Sequence, residues 1–593
     1  MNMTRAAALL ILLLPATAFA AELKVFVNQV ALESAGPKSA VVQYTGTQAT
    51  GEFIVYQKSE AVLRGPITAL PDFNNWGAAG HYFNADFSAL RAPGTYRLEI
   101  DIGDMEAISP DFTVGTAGLF AASADALVNY FRLSRHVKAA DHHIRVFGSD
   151  QFVDVWGGWK DAGGDNGKYL THLSYANFFN PQQTAFADWS LARSYELAPA
   201  AFRRQGLERS VIDETLWGAD FLHRLLSREG FFYMTVFDRW ASPGAERVLT
   251  AYSGIEGVYS TNYQAAFREG AGVAIAALAR AARLSRASGI GGVFTADQYQ
   301  ADAERAFAHL QKNNLRYVDD GKENIIDDYT ALLAAVELYR TAPGATYLDA
   351  ARLRASQLAA RMTPEGRWRS DDVGRPFYHG ADAGFPVLSL SEYLTIEPDV
   401  TRQAPVRAAI ARALAAQLAL DAAVANPFDY PRQSFQLYRA GHRESTVLSG
   451  FFMPHANETG YWWQGESARL ASLATAAVLG GRSVAGQESQ AFGIAPDLAA
   501  FAQHQVDWTL GRNPFDLCLL YGFGVHNPPH SHSAGDFVRG GISNGITGAN
   551  GQDDASGIQF GSDNDEENWR WYEQWIPHTA WFLLMASAMA GSN

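Results

Sequence analysis

The side chains best suited to chemistry stand in three aromatic-rich segments of the chain. In the first, Asp161 and Asp165 place two carboxylates four residues apart, among glycines that let a backbone approach a ligand closely. Aromatic faces stack on the apolar faces of sugar rings, and cleavage of a glycosidic bond needs two carboxyl groups. We therefore predict a sugar-cleaving loop here; a solvated turn or a calcium loop is the alternative. Its predicted substrate-binding residues are Trp156, Trp159 and Tyr169.

The second segment precedes the C-terminal helix and contains Glu573, with Trp569 four residues before it and Trp575 two residues after it. Poor solvation among aromatic rings raises the pKa of a carboxyl group and keeps it protonated. Such a group can act as a general acid, so we predict a catalytic role for Glu573 and a substrate contact for Trp569. The acidic run at 563–567 is better explained by charges in front of a helix.

The third segment, residues 451–466, is dense in planar and hydrogen-bonding side chains. Sugar hydroxyls need paired donors and acceptors around a stacking surface, which this segment can supply. Core packing accounts for some of its aromatic residues. The substrate-binding residues predicted here are His455, Glu458, Trp462, Trp463 and Glu466.

Three histidines, His526, His530 and His532, lie in a proline-rich segment and raise the question of a metal site. No acidic or thiolate side chain accompanies them at ligand spacing, so we predict no metal there and no required cofactor. A structural calcium ion is conceivable but not indicated. Cys518 is the single cysteine, which excludes an internal disulfide. We predict that His530 contacts substrate instead.

Composition and charge exclude several classes of protein. With 593 residues, 48% of them hydrophobic and 18% charged, the chain is too long for a small binding module and too apolar for a disordered protein. Its formal net charge of −15 repels nucleic-acid phosphates and anionic membrane surfaces. We therefore expect a β-linked oligosaccharide or polysaccharide as partner, with no nucleic acid and no membrane insertion.

The first twenty residues have the pattern of a signal peptide. Arg5 precedes an apolar run at 6–14, and Ala18-Phe19-Ala20 fits the small-x-small pattern of a cleavage site. We predict a signal peptide over residues 1–20 and export of the mature chain to the periplasm or the medium. A buried N-terminal helix is the alternative.

Two regions with different periodicities follow. Residues 21–115 contain short alternating runs broken by Gly, Pro and Asn, which predict an immunoglobulin-like β-sandwich. Residues 116–593 carry long amphipathic or apolar stretches, which predict an (α/α)6 barrel of six helical hairpins. An elongated solenoid is the structural rival, but no fixed-length repeat is present.

The boundaries predicted for these elements are as follows. The strands are predicted at 23–30, 39–44, 52–57, 82–87, 95–100 and 111–114. The helices are predicted at 119–135, 184–195, 210–226, 263–284, 295–312, 324–340, 347–361, 383–393, 406–420, 465–479, 496–510 and 571–590.

Nearly the whole mature chain resembles glycoside hydrolase family 9. The resemblance rests on the loop around Asp161, on Val-Asp-Trp-Thr-Leu-Gly-Arg-Asn-Pro at 506–514, on Tyr-Gly-Phe-Gly at 521–524 with His530, and on Glu573. Phe-Val-Asn-Gln-Val at 26–30, Ala-Asp-Phe-Ser at 85–88 and Pro-Gly-Thr-Tyr at 93–96 are similar to the immunoglobulin-like domain that precedes many of these catalytic domains. The resemblance implies an (α/α)6 barrel and inversion at the anomeric carbon. It also implies that Asp165 is the catalytic base, Asp161 its partner in holding the water, and Glu573 the general acid.

The chain departs from the common family pattern at two places. Most members have two aspartates three residues apart in the first loop, whereas here Gly164 stands at that place and Asp165 follows. The usual His-His-Arg is replaced by His530-Ser531-His532. Together with residues 180–183, 323–329 and 457–466, this pattern resembles a branch that includes bacterial exo-β-glucosaminidases acting on chitosan oligosaccharides.

The predicted function is inverting hydrolysis of β-1,4-linked glucan or glucosamine oligosaccharides. We expect exo-action of the exo-β-glucosaminidase or β-glucosidase kind, because residues 426–463 are long enough to close one end of a cleft. Inversion needs an acid and a base about 6.5–9.5 Å apart, which two loops distant in sequence can provide. The alternatives are an endo-β-1,4-glucanase, a non-catalytic carbohydrate-binding protein and a polysaccharide lyase.

Overall fold

The structure, a computed structural model, describes residues 21–48, 50–73, 75–77, 80–172, 182–254, 256–458, 464–485 and 491–591. The signal peptide predicted at 1–20 lies outside these residues, and so do Trp462 and Trp463. No described helix is both long and apolar enough to cross a membrane.

The N-terminal region is a two-layer β-sandwich, as predicted. One sheet has the strand order β1-β3-β7-β6, and the other has the order β2-β10-β8-β4-β5 with β9 beside β8. Alternate residues of β8 point into the core between the sheets. The strands are β1 (Leu23–Phe26), β2 (Ala31–Glu33), β3 (Ser39–Tyr44), β4 (Glu52–Gln57), β5 (Glu60–Pro66), β6 (Thr68–Ala69), β7 (His81–Asp86), β8 (Gly94–Ile102), β9 (Met105–Ile108) and β10 (Phe112–Gly115).

The first predicted strand differs from the structure. The predicted strand 23–30 breaks after β1, because the Asn28 side chain accepts hydrogen bonds from the backbone N–H groups of Val30 (2.9 Å) and Ala31 (3.1 Å). This turn carries the chain from one sheet to the other. Strands β5, β6 and β9 were not predicted, because their side chains are largely exposed and lack the apolar alternation that marks a half-buried strand.

The helical region forms the predicted (α/α)6 barrel. Its inner ring closes through the contacts α2–α5, α5–α7, α7–α9, α9–α11, α11–α14 and α14–α2. Outside this ring lie α1, α4, α6, α8, α10 and α12. The described helices are α1 (Gly118–Leu133), α2 (Thr184–Leu197), α3 (Pro199–Arg204), α4 (Glu208–Leu225), α5 (Ala271–Ser288), α6 (Ala296–Tyr317), α7 (Ile325–Thr341), α8 (Ala345–Ala360), α9 (Phe385–Leu394), α10 (Val400–Ala422), α11 (Ser467–Val484), α12 (Pro496–Thr509), α13 (Trp569–Tyr572) and α14 (Ile576–Ala590).

Three helix predictions are wrong at their N-terminal ends. The helix predicted over 406–420 begins six residues earlier, at Val400, and continues through Pro405. The helix predicted over 263–284 begins only at Ala271, because Gly270 has a φ of 92° and follows a single 3-10 turn. The helix predicted over 571–590 splits into α13 and α14. Pro577 stands in the first turn of α14, where its fixed φ favours helix initiation, so Glu573 lies in an extended link between the two helices.

Short strands lie in three connections of the barrel: between α1 and α2, between α4 and α5, and between α10 and α11. One sheet has the order β12-β11-β15-β14-β13, with β16 beside β15, and β17 pairs with β20 while β18 pairs with β19. These strands are β11 (Ile144–Val146), β12 (Phe152–Val153), β13 (Lys168–Tyr169), β14 (Thr235–Phe237), β15 (Val248–Ser253), β16 (Val258–Ser260), β17 (Gln433–Phe435), β18 (Tyr438–Arg439), β19 (His442–Arg443) and β20 (Leu448–Gly450).

The sandwich packs against the barrel through a shared aromatic cluster. Phe26 and Tyr82 of the sandwich join Phe428, Tyr430 and Trp508 of the barrel in one buried group. A polar contact lies in the same interface, where the Asn28 amide donates to Asp507 Oδ1 (2.9 Å). The two regions therefore pack directly against each other through buried side chains.

Candidate active site

A buried cluster of charged side chains anchors the loop that carries the two aspartates. The Lys168 ammonium donates to the backbone carbonyls of Val155 (2.5 Å) and Gly157 (3.0 Å) and lies 2.7 Å from Asp141 Oδ2. Arg247 Nε (2.9 Å) and His136 Nδ1 (3.0 Å) also contact the Asp141 carboxylate. The start of the loop and the strand that ends it, β13, are thus held at one point.

Asp161 is held by side chains from three other parts of the barrel. Its Oδ2 accepts hydrogen bonds from Trp575 Nε1 (2.8 Å) and pairs with His172 Nε2 (3.0 Å), while its Oδ1 accepts from Gln183 Nε2. Three side-chain partners around one buried carboxylate fix its orientation.

Asp165 has a different environment. The Tyr169 hydroxyl donates to its Oδ2 (2.6 Å), and the Gly167 N–H donates to its Oδ1 (2.7 Å). Burial and the negative charge of Asp161 raise the pKa of Asp165 to about 6, against these two hydrogen bonds. A carboxylate with such a pKa can both exist ionised near neutral pH and accept a proton.

Glu573 lies on the strand-like link directly beside the aspartate loop. The Gly163 N–H donates to the Gln574 carbonyl (3.1 Å), and the Ile576 N–H donates to the Asp161 carbonyl (3.1 Å). Burial, together with the negative charges of Asp161 and Asp165, raises the pKa of Glu573 well above its usual value. Its side chain keeps part of its surface accessible. A protonated carboxylic acid thus faces two carboxyl groups on the neighbouring segment.

Two family models match the chain. "Glycosyl hydrolase family 9" matches residues 120–540, and "Cellulase N-terminal ig-like domain" matches residues 20–104. The first match spans more than half of the chain. The chain belongs to glycosyl hydrolase family 9. No curated protein matches it.

Solved structures of this family share the fold over nearly the whole chain. A structure titled "Bacteroides ovatus GH9" is 17% identical, covers 96% of this chain and 98% of its own, and has a TM-score of 0.64. AaCel9A, solved with cellobiose-like isofagomine, is 19% identical over 96% and 99%, with a TM-score of 0.63. The endoglucanase J30 is 19% identical over 94% and 99%, with a TM-score of 0.64. The protein is therefore a cellulase-like glycoside hydrolase with the family fold.

Three of the predicted substrate contacts in this family 9 hydrolase are wrong. Trp159 is fully buried and packs edge-on against Phe131, so it belongs to the core. Tyr169 is buried and holds Asp165, so it acts on a carboxylate and not on a sugar. Glu466 is buried, pairs with Arg469 and accepts a hydrogen bond from the Met453 N–H. The burial of these side chains follows from packing between elements, which the local sequence does not reveal.

The other predicted contacts that the structure describes keep accessible surface. Trp156 stacks on His142 at 5.3 Å between ring centroids and meets Trp217 edge-on at 5.0 Å. Arg570 lies 4.7 Å over the ring of Trp569, which begins α13, the short helix before the link with Glu573. His530 is exposed, stacks on Phe537 at 4.7 Å, and contacts the Tyr521 hydroxyl (3.1 Å).

His455 and Glu458 are both partly exposed, and Glu458 lies beside the loop that contains Arg375. Glu458 forms an ion pair with Arg375. Burial and the positive charge of Arg570 lower the pKa of His455 to about 4, so its imidazole is neutral at physiological pH. These two side chains offer a sugar both donors and acceptors.

The functional residues that were not predicted surround Asp161. His172 follows β13, Gln183 stands directly before α2, and Trp575 follows Glu573 by two residues. The sequence contained one signal that could have identified such functional residues, namely that polar side chains stand at the ends of apolar elements. Beneath them, Asp382 accepts from the Gln182 N–H (2.9 Å) and from Trp581 Nε1 (2.9 Å), and burial raises the pKa of Asp382 to about 7.

The described residues contain no group of three His, Cys, Asp or Glu side chains that could hold a metal ion. Instead, His526 contacts Asp516 Oδ2 at 2.9 Å and His530 contacts Tyr521, so each makes an ordinary hydrogen bond.

Proposed function

We propose that this hydrolase inverts the configuration of the sugar that it cleaves, with Glu573 as general acid, Asp165 as base and Asp161 as the group that orients the water. The observation that carries the proposal is the contrast between the pKa of Glu573, which is raised well above its usual value, and the pKa of about 6 of Asp165 on the adjoining loop. Glu573 gives its proton to the glycosidic oxygen as the bond to the anomeric carbon breaks. A water attacks that carbon from the opposite face, and Asp165 takes the proton of the water.

The surroundings of the two aspartates support this division of roles. Three side chains contact Asp161, so this carboxylate is held in one orientation, as a group that orients water must be. Asp165 accepts only one side-chain hydrogen bond among the described residues, and it has the raised pKa that a base needs. A single carboxylate that attacked the sugar directly would not need a paired neighbour.

We infer further that the enzyme acts on chain ends. The supporting feature is the wall segment, residues 426–458, which folds into two small hairpins, β17 with β20 and β18 with β19. Arg443 pairs with Asp371 (3.0 Å), and Phe435 and Met453 pack against Tyr378. A wall that is folded and anchored on a neighbouring loop favours a cleft closed at one end.

The substrate that we propose is a short β-1,4-linked oligosaccharide of glucose or glucosamine. Glu458 of the wall segment is partly exposed, and its partner Arg375 neutralises it. The pair can give a neutral sugar one donor and one acceptor, whereas a protonated amino group at C2 can add a charge-assisted hydrogen bond to the Glu458 carboxylate beside Arg375. Charge-assisted hydrogen bonds are worth about 1.5–3 kcal/mol against about 0.5–1.5 kcal/mol for neutral ones, so the amino sugar gains about tenfold in affinity.

Internal cleavage of glucans is the second candidate. It is favoured by the likeness to the endoglucanase J30, which covers 94% of this chain. The fold supports either mode of attack, and the wall segment is the feature on which the choice depends.

Product analysis separates the candidates. The protein is incubated in parallel with cello-oligosaccharides, chitosan oligosaccharides and a soluble cellulose derivative, and products are identified with time. Exo-action releases monosaccharide from the first minutes, with little loss of viscosity in the polymer. Rapid loss of viscosity with little monosaccharide would establish internal cleavage and refute the exo-acting proposal.

We also propose that the enzyme is exported. The support is the charged, apolar and small-residue pattern of residues 1–20. N-terminal sequencing of the protein recovered from outside the cytoplasm should give a mature chain that begins near Ala21. An intact N-terminus on protein confined to the cytoplasm would refute export.

A further inference from the structure

Trp76 of the β-sandwich has a backbone conformation that is unusual for a bulky residue. Trp76, in the loop between β6 and β7, has φ 70° and ψ 12°. Bulky side chains rarely occupy this left-handed region, and such strain persists only where the surroundings enforce it. The contacts of this side chain therefore bear on function.

Trp76 projects into the aromatic cluster of the barrel. Its ring meets Phe451 edge-on at 5.1 Å and lies 5.8 Å from Phe452. It also lies 5.9 Å from Trp508 and 6.3 Å from Tyr430. The strained conformation thus delivers one ring of the sandwich into the C-terminal part of the wall segment.

The same part of the wall is held from the barrel side by Glu466 and Arg469. Arg469 Nη2 donates to the Phe451 carbonyl (2.7 Å), and the Met453 N–H donates to Glu466 Oε1. The Tyr430 hydroxyl donates to Glu466 Oε2 (3.2 Å). Residues 451–453 are therefore clamped between a buried ion pair of the barrel and the ring of Trp76.

The clamped stretch leads directly to the predicted sugar contacts. His455 follows Met453 by two residues, and Glu458 ends the described part of the segment in its ion pair with Arg375. A shift of Phe451 and Phe452 toward the space of a missing ring would move this stretch relative to Arg375, and sugar binding is sensitive to displacements of that kind.

We propose that Trp76 of the immunoglobulin-like domain is a positioning residue for substrate binding, acting through Phe451 and Phe452 on His455 and Glu458. This inference rests on the proposed function only in assigning the latter two residues to the substrate site. It implies that the sandwich contributes to the affinity of the catalytic site as well as to stability.

The test compares two changes at Trp76 with one elsewhere in the same interface. Trp76→Gly removes the ring at a backbone conformation that glycine adopts without strain, and Trp76→Phe restores most of the aromatic surface. Asn28→Ala is the matched control, because it weakens the contact with Asp507 but does not touch the wall segment. For each variant, KM, kcat and the melting temperature are measured with the oligosaccharide that the wild type cleaves.

We expect Trp76→Gly to raise KM by about tenfold with kcat changed less than about twofold, the pattern of lost binding that is uniform between substrate and transition state. Trp76→Phe should recover most of that loss. Asn28→Ala should lower the melting temperature and leave KM unchanged.

An unchanged KM in Trp76→Gly, or an equal rise of KM in Asn28→Ala, would overturn the positioning role and leave Trp76 as a structural contact. The products of the wild type decide the proposed function independently. If the wild type cleaves internally, exo-action fails, but KM on that polymer still tests Trp76.

Discussion

The three carboxyl groups of the site differ chiefly in their hydrogen-bond donors. Asp161 has three side-chain partners, Asp165 has the Tyr169 hydroxyl and one backbone N–H, and Glu573 is buried beside both negative charges. Donors stabilise a carboxylate, while burial and like charges favour the protonated form. The proposed division of these carboxyl groups into an orienting group, a base and an acid therefore rests on their neighbours.

Replacement of the proposed acid should abolish only proton donation. We expect Glu573→Gln to fold and bind oligosaccharide but to lose ~10²–10⁴-fold in kcat on substrates with poor leaving groups. Aryl glycosides with good leaving groups serve as the control, because they need little protonation and should lose far less. An equal loss on both substrate types would place the acid elsewhere.

The two aspartates should respond unequally to loss of charge. Asp165→Asn removes the proposed proton acceptor, whereas Asp161→Asn keeps a polar group that can still hold water. We expect the first change to cost at least about tenfold more in kcat than the second. Steady-state rates of both variants at the pH optimum give the ranking, and the reverse order would exchange the two roles.

The hydroxyl of Tyr169 should influence the pH below which kcat/KM falls, because it donates a hydrogen bond to the proposed base Asp165. Asp165, with a pKa of about 6, must be ionised to act as base, so kcat/KM falls as the pH drops below that value. Tyr169→Phe removes a donor worth about 1.5–3 kcal/mol to the carboxylate, which raises the pKa of Asp165 by about one unit or more. The limb should therefore move to higher pH.

The control for that shift is Tyr233→Phe, which removes a hydroxyl bonded to Gln151 (3.2 Å) instead of to a catalytic carboxyl group. Its pH profile should coincide with that of the wild type. A Tyr169→Phe profile that also coincides with it would show that Asp165 does not control the limb.

At the scale of elements, the aspartate loop owes its shape to the cluster around Asp141. Burial lowers the pKa of Lys168 to about 8, against the attraction of Asp141. Burial alone would raise the pKa of Asp141, but hydrogen bonds from His136 and Arg247 and the charge of Lys168 lower it overall. An ionised pair inside the protein therefore fixes the carbonyls of Val155 and Gly157.

Removal of the lysine charge should loosen this loop. We expect Lys168→Met, of similar length, to lower the free energy of unfolding by about 3 kcal/mol, because it breaks a buried ion pair. It should also lower kcat, because Tyr169 and Asp165 follow the displaced strand. Chemical denaturation and steady-state kinetics measure the two effects.

Arg145→Met is the matched control on the same sheet, since Arg145 forms a more exposed ion pair with Glu246 (2.6 Å). Such a pair contributes about 0–1 kcal/mol. If both variants lost the same small amount of stability, the buried cluster would have no special part in holding the loop.

At the scale of the whole molecule, the β-sandwich covers an apolar face of the barrel. Phe428, Tyr430 and Trp508 of the barrel share a buried cluster with Phe26 and Tyr82 of the sandwich. Exposed apolar patches of this kind promote aggregation. The sandwich is therefore part of the folded unit that the barrel requires.

Deletion of residues 22–114 should damage stability more than chemistry. We expect most of the truncated protein to aggregate and the soluble part to melt at a lower temperature, while its kcat per folded molecule changes little. Soluble yield, thermal melting and active-site titration measure these quantities. A soluble truncated protein with the melting temperature of the full chain would contradict the prediction.

Most of the fold could be predicted from the sequence, because buried apolar residues recur along the chain with the period of the helix or strand that contains them. Each of the twelve helices of the barrel was predicted, since apolar residues recur with helical spacing on every outer helix and dominate every inner one. Most strands of the sandwich core were predicted for the same reason, but β2 lies outside every predicted strand although it is buried. The edge strands, such as β5, were not, because their exposed side chains carry no such record.

Only part of the candidate site could be predicted from the sequence. The sequence by itself identified the acidic side chains and the loops that hold them, because residue type and local spacing are local properties. It did not determine that Trp159 and Glu466 are buried, or that Glu573 lies in an extended link. Only the tertiary structure decided those points, together with the pairing of Asp161 with Trp575 across 414 residues of chain. The physical reason is that solvation and hydrogen-bond partners, and hence pKa, depend on groups that folding brings together from distant elements.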